Sequence, residues 1–194
     1  MSPPFLPEKI YHVYTHANGS DNLFRINDNY DYFLKKYQKY ISPVAKTLAY
    51  CLMPNHFHFL IRLKNENEIL ASLDICNKDI DFSKVISLQW SHLLNGYSQA
   101  YNKMFDRRGS LFQPRIKRKP IDQDDYLTTV VLYIHWNPVK HGFVEKPIDW
   151  MFSSIHDYVY PSDTFIARDE IINWFGNIEQ FLNFHTGTVP VLSK

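Results

Sequence analysis

The chain has 194 residues, enough for one domain with a full core or for a core domain with an appendage. Apolar residues make up 45% and charged residues 21%, as in an ordinary globular protein, and aromatics are high at 16%. The formal net charge of +1 argues against a wholly basic nucleic-acid binder.

The cysteines and the apolar segments of the sequence exclude further classes of protein. Cys51 and Cys76 are the two cysteines and form no CxxC pair, which argues against a structural zinc finger and against a disulfide framework. The opening MSPPFLPEKI lacks a basic region followed by an apolar run, and no stretch of about 18 apolar residues exists. We therefore expect a cytoplasmic protein with neither a signal peptide nor a membrane span.

The hydrophobic pattern predicts strands and helices in a regular order. Alternation predicts strands, and apolar spacing of three to four residues predicts helices. Proline at both ends of the fourth strand favours an edge position. The predicted order is strand 9–17, helix 29–41, strand 44–53, strand 56–63, helix 83–105, strand 111–121, helix 122–136 ending at Asn137-Pro138, and a final helix 168–185 broken or bent near Gly176.

This order predicts an α+β protein of the ferredoxin-like (RRM-like) plan, a four-stranded antiparallel sheet with two helices on one face. A further helix follows, with Tyr133 on it, and then a helical tail. We expect residues 1–146 to form the main domain, including this helix, and residues 147–194 to form a C-terminal extension.

The third predicted strand, HFHFLIRL, carries two histidines on one face. Alternation places Phe57 and Phe59 toward the helices and His56 and His58 on the opposite face. Their Cα atoms would lie roughly 6.5–7 Å apart, so both imidazoles can bind one divalent ion. A polar sheet face explains the same pattern, and the H-x-H spacing alone leaves both readings open.

The third helix adds two polar groups at matching spacing. Tyr133 and Asn137 are related as i and i+4 and point the same way if the helix persists. A tyrosine hydroxyl is a nucleophile once activated, and an amide oxygen is a ligand for Mg²⁺ or Mn²⁺. Alternatively, Tyr133 is a core aromatic residue and Asn137 caps the helix before Pro138.

Positive charge is concentrated in one segment. Between Lys103 and Lys119 there are seven basic residues and a single acidic one, Asp106. This pattern fits a phosphate-binding surface or a solvated loop. The candidate DNA-binding residues are Arg107, Arg108, Arg115, Lys117, Arg118 and Lys119.

Five blocks in the right order resemble the REP-associated tyrosine transposases, a branch of the single-tyrosine HUH transposases. They are YHVYTHANGSDNLF, MPNHFHFLI, GSLFQPRIKR, YLTTVVLYIHWNPVKHGFV and DWMFSSIHDY, and they span about residues 9–160. After the first strand the family commonly has Asn-Arg-Gly, whereas this chain has THANG at 15–19. That difference bears on DNA recognition and not on the chemistry.

The resemblance implies a site and a reaction. It places the metal-binding HUH pair on His56 and His58, a third amide ligand on Asn137 and the nucleophile on Tyr133. It implies cleavage and joining of single-stranded or hairpin DNA at repetitive palindromes, with Mg²⁺ or Mn²⁺ and a 5′-phosphotyrosine intermediate. Action as a monomer or as a homodimer stays open, as do the DNA target and the general base.

Two other functions stay open at this level. One is a non-catalytic single-stranded DNA- or RNA-binding module on the same fold. The other is a hydrolytic metalloenzyme that uses the same histidines with a further carboxylate or histidine ligand and forms no covalent adduct. His12 and His16 are read as hydrogen-bonded polar residues of the first strand, and His141 as a turn residue near enough to be a rival ligand. His135 should point away from Tyr133 because it lies at i+2.

Overall fold

The computed structural model describes residues 3–77, 79–122, 124–160 and 163–187. No helix within these ranges is long and apolar enough to cross a membrane. The elements in chain order are β1 Ile10–His16, α1 Asn27–Ile41, β2 Ala45–Met53, β3 His56–Leu63, α2 Glu66–Ser72, α3 Phe82–Met104, β4 Lys117–Ile121, α4 Asp124–Lys140, a 3-10 turn Pro147–Asp149, α5 Ile155–Val159, α6 Arg168–Trp174 and α7 Ile178–His185.

The four strands form one sheet in the order β2-β3-β1-β4. All three neighbouring pairs are antiparallel. The expected α+β class with a four-stranded antiparallel sheet is confirmed. β4 lies at the edge, as its prolines predicted, because proline cannot donate a backbone hydrogen bond to a neighbouring strand.

One face of the sheet packs under α1 and α3. Phe57 and Phe59 of β3 are fully buried there. The Phe59 ring stacks on Tyr37 of α1 at 4.0 Å and meets Trp90 of α3 at 6.2 Å. Phe57 meets Phe33 of α1 at 5.2 Å. The predicted apolar face of β3 is therefore the core face, and His56 and His58 are turned to the other side.

α4 and the C-terminal segment pack on the opposite face and along β2. The Trp150 indole donates to the Leu52 carbonyl at 2.9 Å, and the Ala167 amide donates to the Thr47 carbonyl at 2.7 Å. Arg62, on the histidine face of β3, pairs with Glu170 of α6 at 2.6 Å. The histidines thus lie in a layer between sheet and helices, not on an open sheet surface.

The predicted end of the Tyr133 helix is wrong. α4 continues through Pro138 to Lys140, although a proline disfavours the helical conformation of the residue that precedes it. Pro138 lies in the last turn, where its missing N–H removes one helical bond. At the end of the helix, the His141 amide donates a hydrogen bond to the Asn137 carbonyl, and the Phe143 amide donates one to the Pro138 carbonyl. Tyr133 and Asn137 therefore share one continuous helix.

Two other predicted boundaries also need correction. The KNENE stretch was expected to be a loop, but Asn65 and Glu68 form a capping box that starts α2. The fourth strand was expected to cover 111–121, but β4 itself covers only its last five residues. Before β4, Phe112 makes one isolated bridge to Ala17, and the chain then leaves the sheet around Pro114.

The predicted final helix over 168–185 is interrupted as expected. It consists of α6 and α7, separated by Gly176, whose φ of +89° favours glycine.

Candidate active site

The site begins with histidines on two adjacent strands. The β1–β3 register places Tyr14 opposite His58 and His16 opposite His56, so their side chains share one face. The His16 and His56 rings stack at 4.9 Å, and the Tyr14 and His58 rings stack at 5.6 Å. His12 Nε2 and His58 Nδ1 lie 2.9 Å apart and share a hydrogen bond. His12 was read as a polar strand residue, but it contacts the predicted metal pair directly.

α4 places the other two predicted residues on this cluster. Asn137, fully buried, holds its Oδ1 atom 3.1 Å from His56 Nε2. The half-buried Tyr133 ring lies edge-on to His58 at 5.5 Å and to His12 at 6.0 Å between centroids. The structure therefore brings together His56, His58, Tyr133 and Asn137. The continuation of α4 through Pro138 makes this possible.

Burial keeps the imidazoles neutral. It lowers the pKa of His56 to about 4 and that of His12 to about 3, and it holds the pKa of His58 well below 6.5. The positive charge of Lys119 adds to the effect at His12. A neutral imidazole presents a lone pair on one nitrogen, which is the form that binds a metal ion.

The hydrogen bonding of His56 fits a cation. Its Nδ1 faces Asn55 Oδ1 at 2.8 Å, and its Nε2 faces Asn137 Oδ1 at 3.1 Å. A neutral imidazole has one N–H, so one of these two amide oxygens faces a lone pair instead of a proton. If Nδ1 donates to Asn55, then His56 Nε2 and Asn137 Oδ1 both direct lone pairs at the same space.

The spacing of these atoms also suits a metal ion. Two ligands at adjacent positions around Mg²⁺ lie about 3 Å apart. Within the described ranges, no three His, Cys, Asp or Glu side chains group as a metal site by themselves. A cation here would therefore take Asn137 as its third protein ligand beside His56 and His58. The hydrolase alternative needs a further carboxylate or histidine ligand, and the rings of His16 and His141 lie near His56, at 4.9 and 5.1 Å.

Two residues at the end of α4 also reach the site. Lys140 Nζ lies 5.1 Å from the centre of the Tyr133 ring. The exposed His141 ring lies 5.1 Å from the His56 ring. The sequence analysis missed Lys140. Its i+7 spacing from Tyr133 could have indicated it, because residues seven apart lie on the same face of a helix. Together they add positive charge and a hydrogen-bonding ring where Tyr133 meets the histidines.

The basic segment divides between the two faces of the sheet. In the β1–β4 register Lys117 pairs with Tyr14 and Lys119 pairs with His12, which places both lysines on the histidine face. Lys117 Nζ lies 6.0 Å from the centre of the Tyr14 ring. Arg118 alternates to the other face. Of the six predicted DNA-binding residues, the two lysines border the site.

The arginines of this segment have different surroundings. Arg107 is bonded to Asp21, to Asn102 Oδ1 at 3.0 Å and to the Ser110 carbonyl at 2.9 Å, so it organises the turn after α3. Arg118 donates to the Pro3 carbonyl and covers the Phe5 ring at 4.1 Å. Arg108 and Arg115 are exposed.

His135, on the opposite side of α4, points away from Tyr133 as its spacing predicted. Its Nδ1 lies 2.8 Å from His185 Nε2 and its Nε2 lies 2.9 Å from Ser154 Oγ. His185 Nδ1 in turn donates to the Phe181 carbonyl at 2.7 Å. This buried chain joins α4 to α7 and to the start of α5.

No protein-family model matches the chain. A protein named as a REP-associated tyrosine transposase in Haemophilus influenzae is 33% identical over 122 residues, covering 61% of this chain and 65% of that protein. The REP-associated tyrosine transposase of Escherichia coli K12 is 26% identical over 137 residues, covering 69% of this chain and 64% of the relative. The chain thus spans slightly less than two thirds of the length of each.

A solved structure shares the fold. It is described as a REP-associated tyrosine transposase bound to a REP hairpin, and it superposes with a TM-score of 0.63 at 20% identity. The match covers 83% of this chain and 85% of the other. The chain is therefore similar in sequence to two proteins named as REP-associated tyrosine transposases, and it shares its fold with a solved structure of that description.

Proposed function

We propose that the protein is a metal-dependent single-stranded DNA endonuclease and strand transferase of the single-tyrosine HUH kind. The observation that carries the proposal is the convergence of His56, His58 and Asn137 beside the tyrosine of the same helix, Tyr133. The strand order and the helices α1 and α3 fit the ferredoxin-like plan expected for such enzymes. Similarity to named transposases supports the same assignment.

Tyr133 would act as the nucleophile. Its hydroxyl oxygen attacks a DNA phosphorus, and the bond from that phosphorus to the 3′-oxygen breaks. The tyrosine hydroxyl loses its proton, and the departing 3′-oxygen gains one. The products are a 5′-phosphotyrosine and a free 3′-hydroxyl. A second 3′-hydroxyl can reverse the exchange, so strands are joined without ATP.

His56, His58 and Asn137 would hold Mg²⁺ or Mn²⁺ through two nitrogens and one oxygen. Such a cation supplies electrostatic stabilisation to a phosphate that gains charge. His12 would orient His58 through the hydrogen bond to Nδ1. Lys140 would bring a further positive charge to the phosphate beside Tyr133.

The proposed substrate is single-stranded or hairpin DNA of a repetitive palindrome. The related structure is described as bound to a REP hairpin, and Lys117 and Lys119 border the site here on the edge strand. We place the enzyme in the cytoplasm, on DNA. Residues 1–146 would form the catalytic unit, and the segment from 147 would brace α4, through contacts such as His135 with His185.

A covalent trapping assay tests the proposal. The protein is incubated with single-stranded hairpin DNA and Mn²⁺, and a protein–DNA adduct is sought on a denaturing gel. Tyr133→Phe should abolish the adduct and keep DNA binding, because only the hydroxyl is removed. Tyr14→Phe, which alters another aromatic of the site, is the matched control and should retain the adduct.

The same assay separates the alternatives. If Tyr133→Phe cleaves as well as the parent, Tyr133 is not the nucleophile. If the parent binds hairpin DNA but cleaves no substrate with any divalent metal, the protein is a binding module on the transposase fold. Cleavage without an adduct would indicate the hydrolase.

A further inference from the structure

A series of buried hydrogen bonds holds the side of α4 that faces away from the candidate active site. His135 lies at its centre, with Nδ1 2.8 Å from His185 Nε2 and Nε2 2.9 Å from Ser154 Oγ. His185 Nδ1 lies 2.7 Å from the Phe181 carbonyl, and the Tyr50 amide donates to Ser154 Oγ at 2.8 Å. All five residues are buried, and together they are called the His135 network.

The donors and acceptors of the His135 network fit together in one arrangement of protons. A carbonyl oxygen only accepts, so His185 Nδ1 carries the proton that it donates to Phe181. Burial lowers the pKa of His185 to about 4, so its ring is neutral near pH 7 and its Nε2 accepts from His135 Nδ1. Burial also holds the pKa of His135 well below 6.5, so its Nε2 accepts from the Ser154 hydroxyl. Each bond is therefore directional and holds His135 in one orientation.

The His135 network joins α4 to the sheet that carries the candidate metal ligands. Ser154 is bonded to Tyr50 of β2 twice, since its own amide also donates to the Tyr50 carbonyl at 3.0 Å. β2 pairs directly with β3, which carries His56 and His58. The position of His135, and so of α4, is therefore fixed relative to the same strands that place the two histidines.

Helical geometry transmits this restraint to the site. With about 3.6 residues per turn, Tyr133 and Asn137 each lie about 200° around α4 from His135. Val131 and Ile134 of α4 are buried in apolar contacts, whose attraction has no directional preference. Side chains reach about 5–6 Å from a helix axis, so a rotation of about 10° would move Asn137 Oδ1 by about 1 Å. A misplacement of about 1 Å can cost about 100-fold in rate.

We propose that His135 is a positioning residue for the candidate active site, because the His135 network sets the rotation of α4 and thereby places Asn137 and Tyr133 against His56. The inference rests on the proposed function, since it names what holds that site in register. His135 lies on the far side of the helix and acts through its backbone. Part of the arrangement is thus supplied by Ser154 and His185, which belong to the C-terminal segment.

A double-mutant cycle on Mn²⁺ affinity tests the proposal, with isothermal titration calorimetry on the DNA-free protein. His135→Phe, which keeps a ring and loses both hydrogen bonds, should weaken Mn²⁺ binding about tenfold. In the Asn137→Ala background the same change should have little further effect, because the ligand that it misplaces is already absent. His135→Asn, whose amide can still donate to His185 Nε2, should recover part of the affinity.

Ile171→Ala is the matched control, because it removes a fully buried side chain from the same C-terminal segment outside the His135 network. It should lower the free energy of unfolding in urea and leave the Mn²⁺ affinity unchanged. The proposal is overturned if His135→Phe binds Mn²⁺ like the parent, if Ile171→Ala loses as much affinity, or if the losses of His135→Phe and Asn137→Ala multiply in the double variant. If His135→Phe does not fold, Ser154→Ala takes its place in the cycle and the same outcomes decide.

A kinetic measurement separates positioning from binding. At saturating Mn²⁺ and hairpin DNA, His135→Phe should form the Tyr133 adduct about tenfold more slowly, with an unchanged Kd for the hairpin. An unchanged rate, or a loss that appears only in Kd, overturns the proposal.

Failure of the proposed function gives a different result. If the parent forms no adduct but the Mn²⁺ cycle shows the coupling, catalysis is refuted and His135 stands as a positioning residue. If the parent binds no Mn²⁺, nitrogen-15 NMR of the His56 ring in the metal-free protein decides. A change in His135→Phe that matches the change in Asn137→Ala supports the positioning role, and unchanged signals in His135→Phe overturn it.

Discussion

His56 Nε2 and Asn137 Oδ1 lie 3.1 Å apart across 81 positions of sequence. One atom comes from the strand at the centre of the sheet and the other from the helix that covers it. Both are buried, and His56 also has an amide oxygen, Asn55 Oδ1, at its second nitrogen. Four predictions follow from this pair and its surroundings.

Asn137→Ala should lower the affinity for Mn²⁺ about tenfold or more, because it removes the amide oxygen that lies opposite His56 Nε2. Isothermal titration calorimetry on the DNA-free protein measures this directly. Asn183→Ala, at an exposed position of α7, is the matched control. Equal Mn²⁺ affinity in Asn137→Ala and the parent would exclude Asn137 as a ligand.

His12→Phe should weaken Mn²⁺ binding about tenfold, because the ring volume stays but the bond to His58 Nδ1 is lost. His12→Gln, which retains a hydrogen-bonding end, should recover part of the affinity. Nitrogen-15 NMR of the His58 ring reports whether its tautomer mixture changes with His12. An unchanged tautomer and unchanged affinity in His12→Phe would show that His12 only fills space.

The basic residues should separate into two classes. Lys117→Ala with Lys119→Ala should weaken hairpin binding and reduce the salt slope by about 1 per lysine, with little effect on stability, because both are exposed. Arg107→Ala should cost about 1–3 kcal/mol of unfolding free energy, because Asp21 and the Ser110 carbonyl each lose a charged donor, although Asp21 keeps its ion pair with Arg25. Anisotropy titrations and urea unfolding measure the two effects. Loss of stability in the lysine variant, or unchanged stability in Arg107→Ala, would contradict this division into DNA-binding and structural residues.

Acid should destabilise the fold below about pH 6.5. The pKa values of His56 and His185 are lowered to about 4 and that of His12 to about 3, mainly by burial. Below 6.5 the unfolded chain therefore binds protons that the folded chain does not bind. Each such histidine removes up to about 1.4 kcal/mol of stability per pH unit until its folded pKa is reached.

Urea unfolding between about pH 7 and about pH 5 measures this slope. His185→Phe should reduce the slope, and replacement of the exposed His92 by Gln is the matched control. A free energy of unfolding that stays constant over this interval would contradict the prediction.

Local sequence determined much of the fold. The alternation in HFHFLIRL separated Phe57 and Phe59 from His56 and His58, because successive side chains of a strand point to opposite faces. The bounds of β3 followed directly from that pattern. Glycine and proline also marked the break at Gly176 and the edge position of β4. These features depend on the geometry of residues that are close together in sequence, so the sequence predicts them directly.

The prediction that the helix ends before Pro138 was wrong because it used a local rule alone. A proline disfavours the helix before it, but the cost in a last turn is one hydrogen bond. Packing of α4 on the sheet outweighs this cost, and the helix continues to Lys140. Whether Asn137 faces His56 was thus decided by tertiary contacts and not by its neighbours in sequence.

The sequence by itself, through strand alternation, helical spacing and the family resemblance, predicted the candidate residues His56, His58, Tyr133 and Asn137. Only the tertiary structure decided what surrounds them. Strand register placed His12 against His58. It also placed Lys117 and Lys119 on the histidine face of the sheet and Arg118 on the opposite face. Register and helix docking are set by the sum of many distant packing contacts, so no short stretch of sequence displays them.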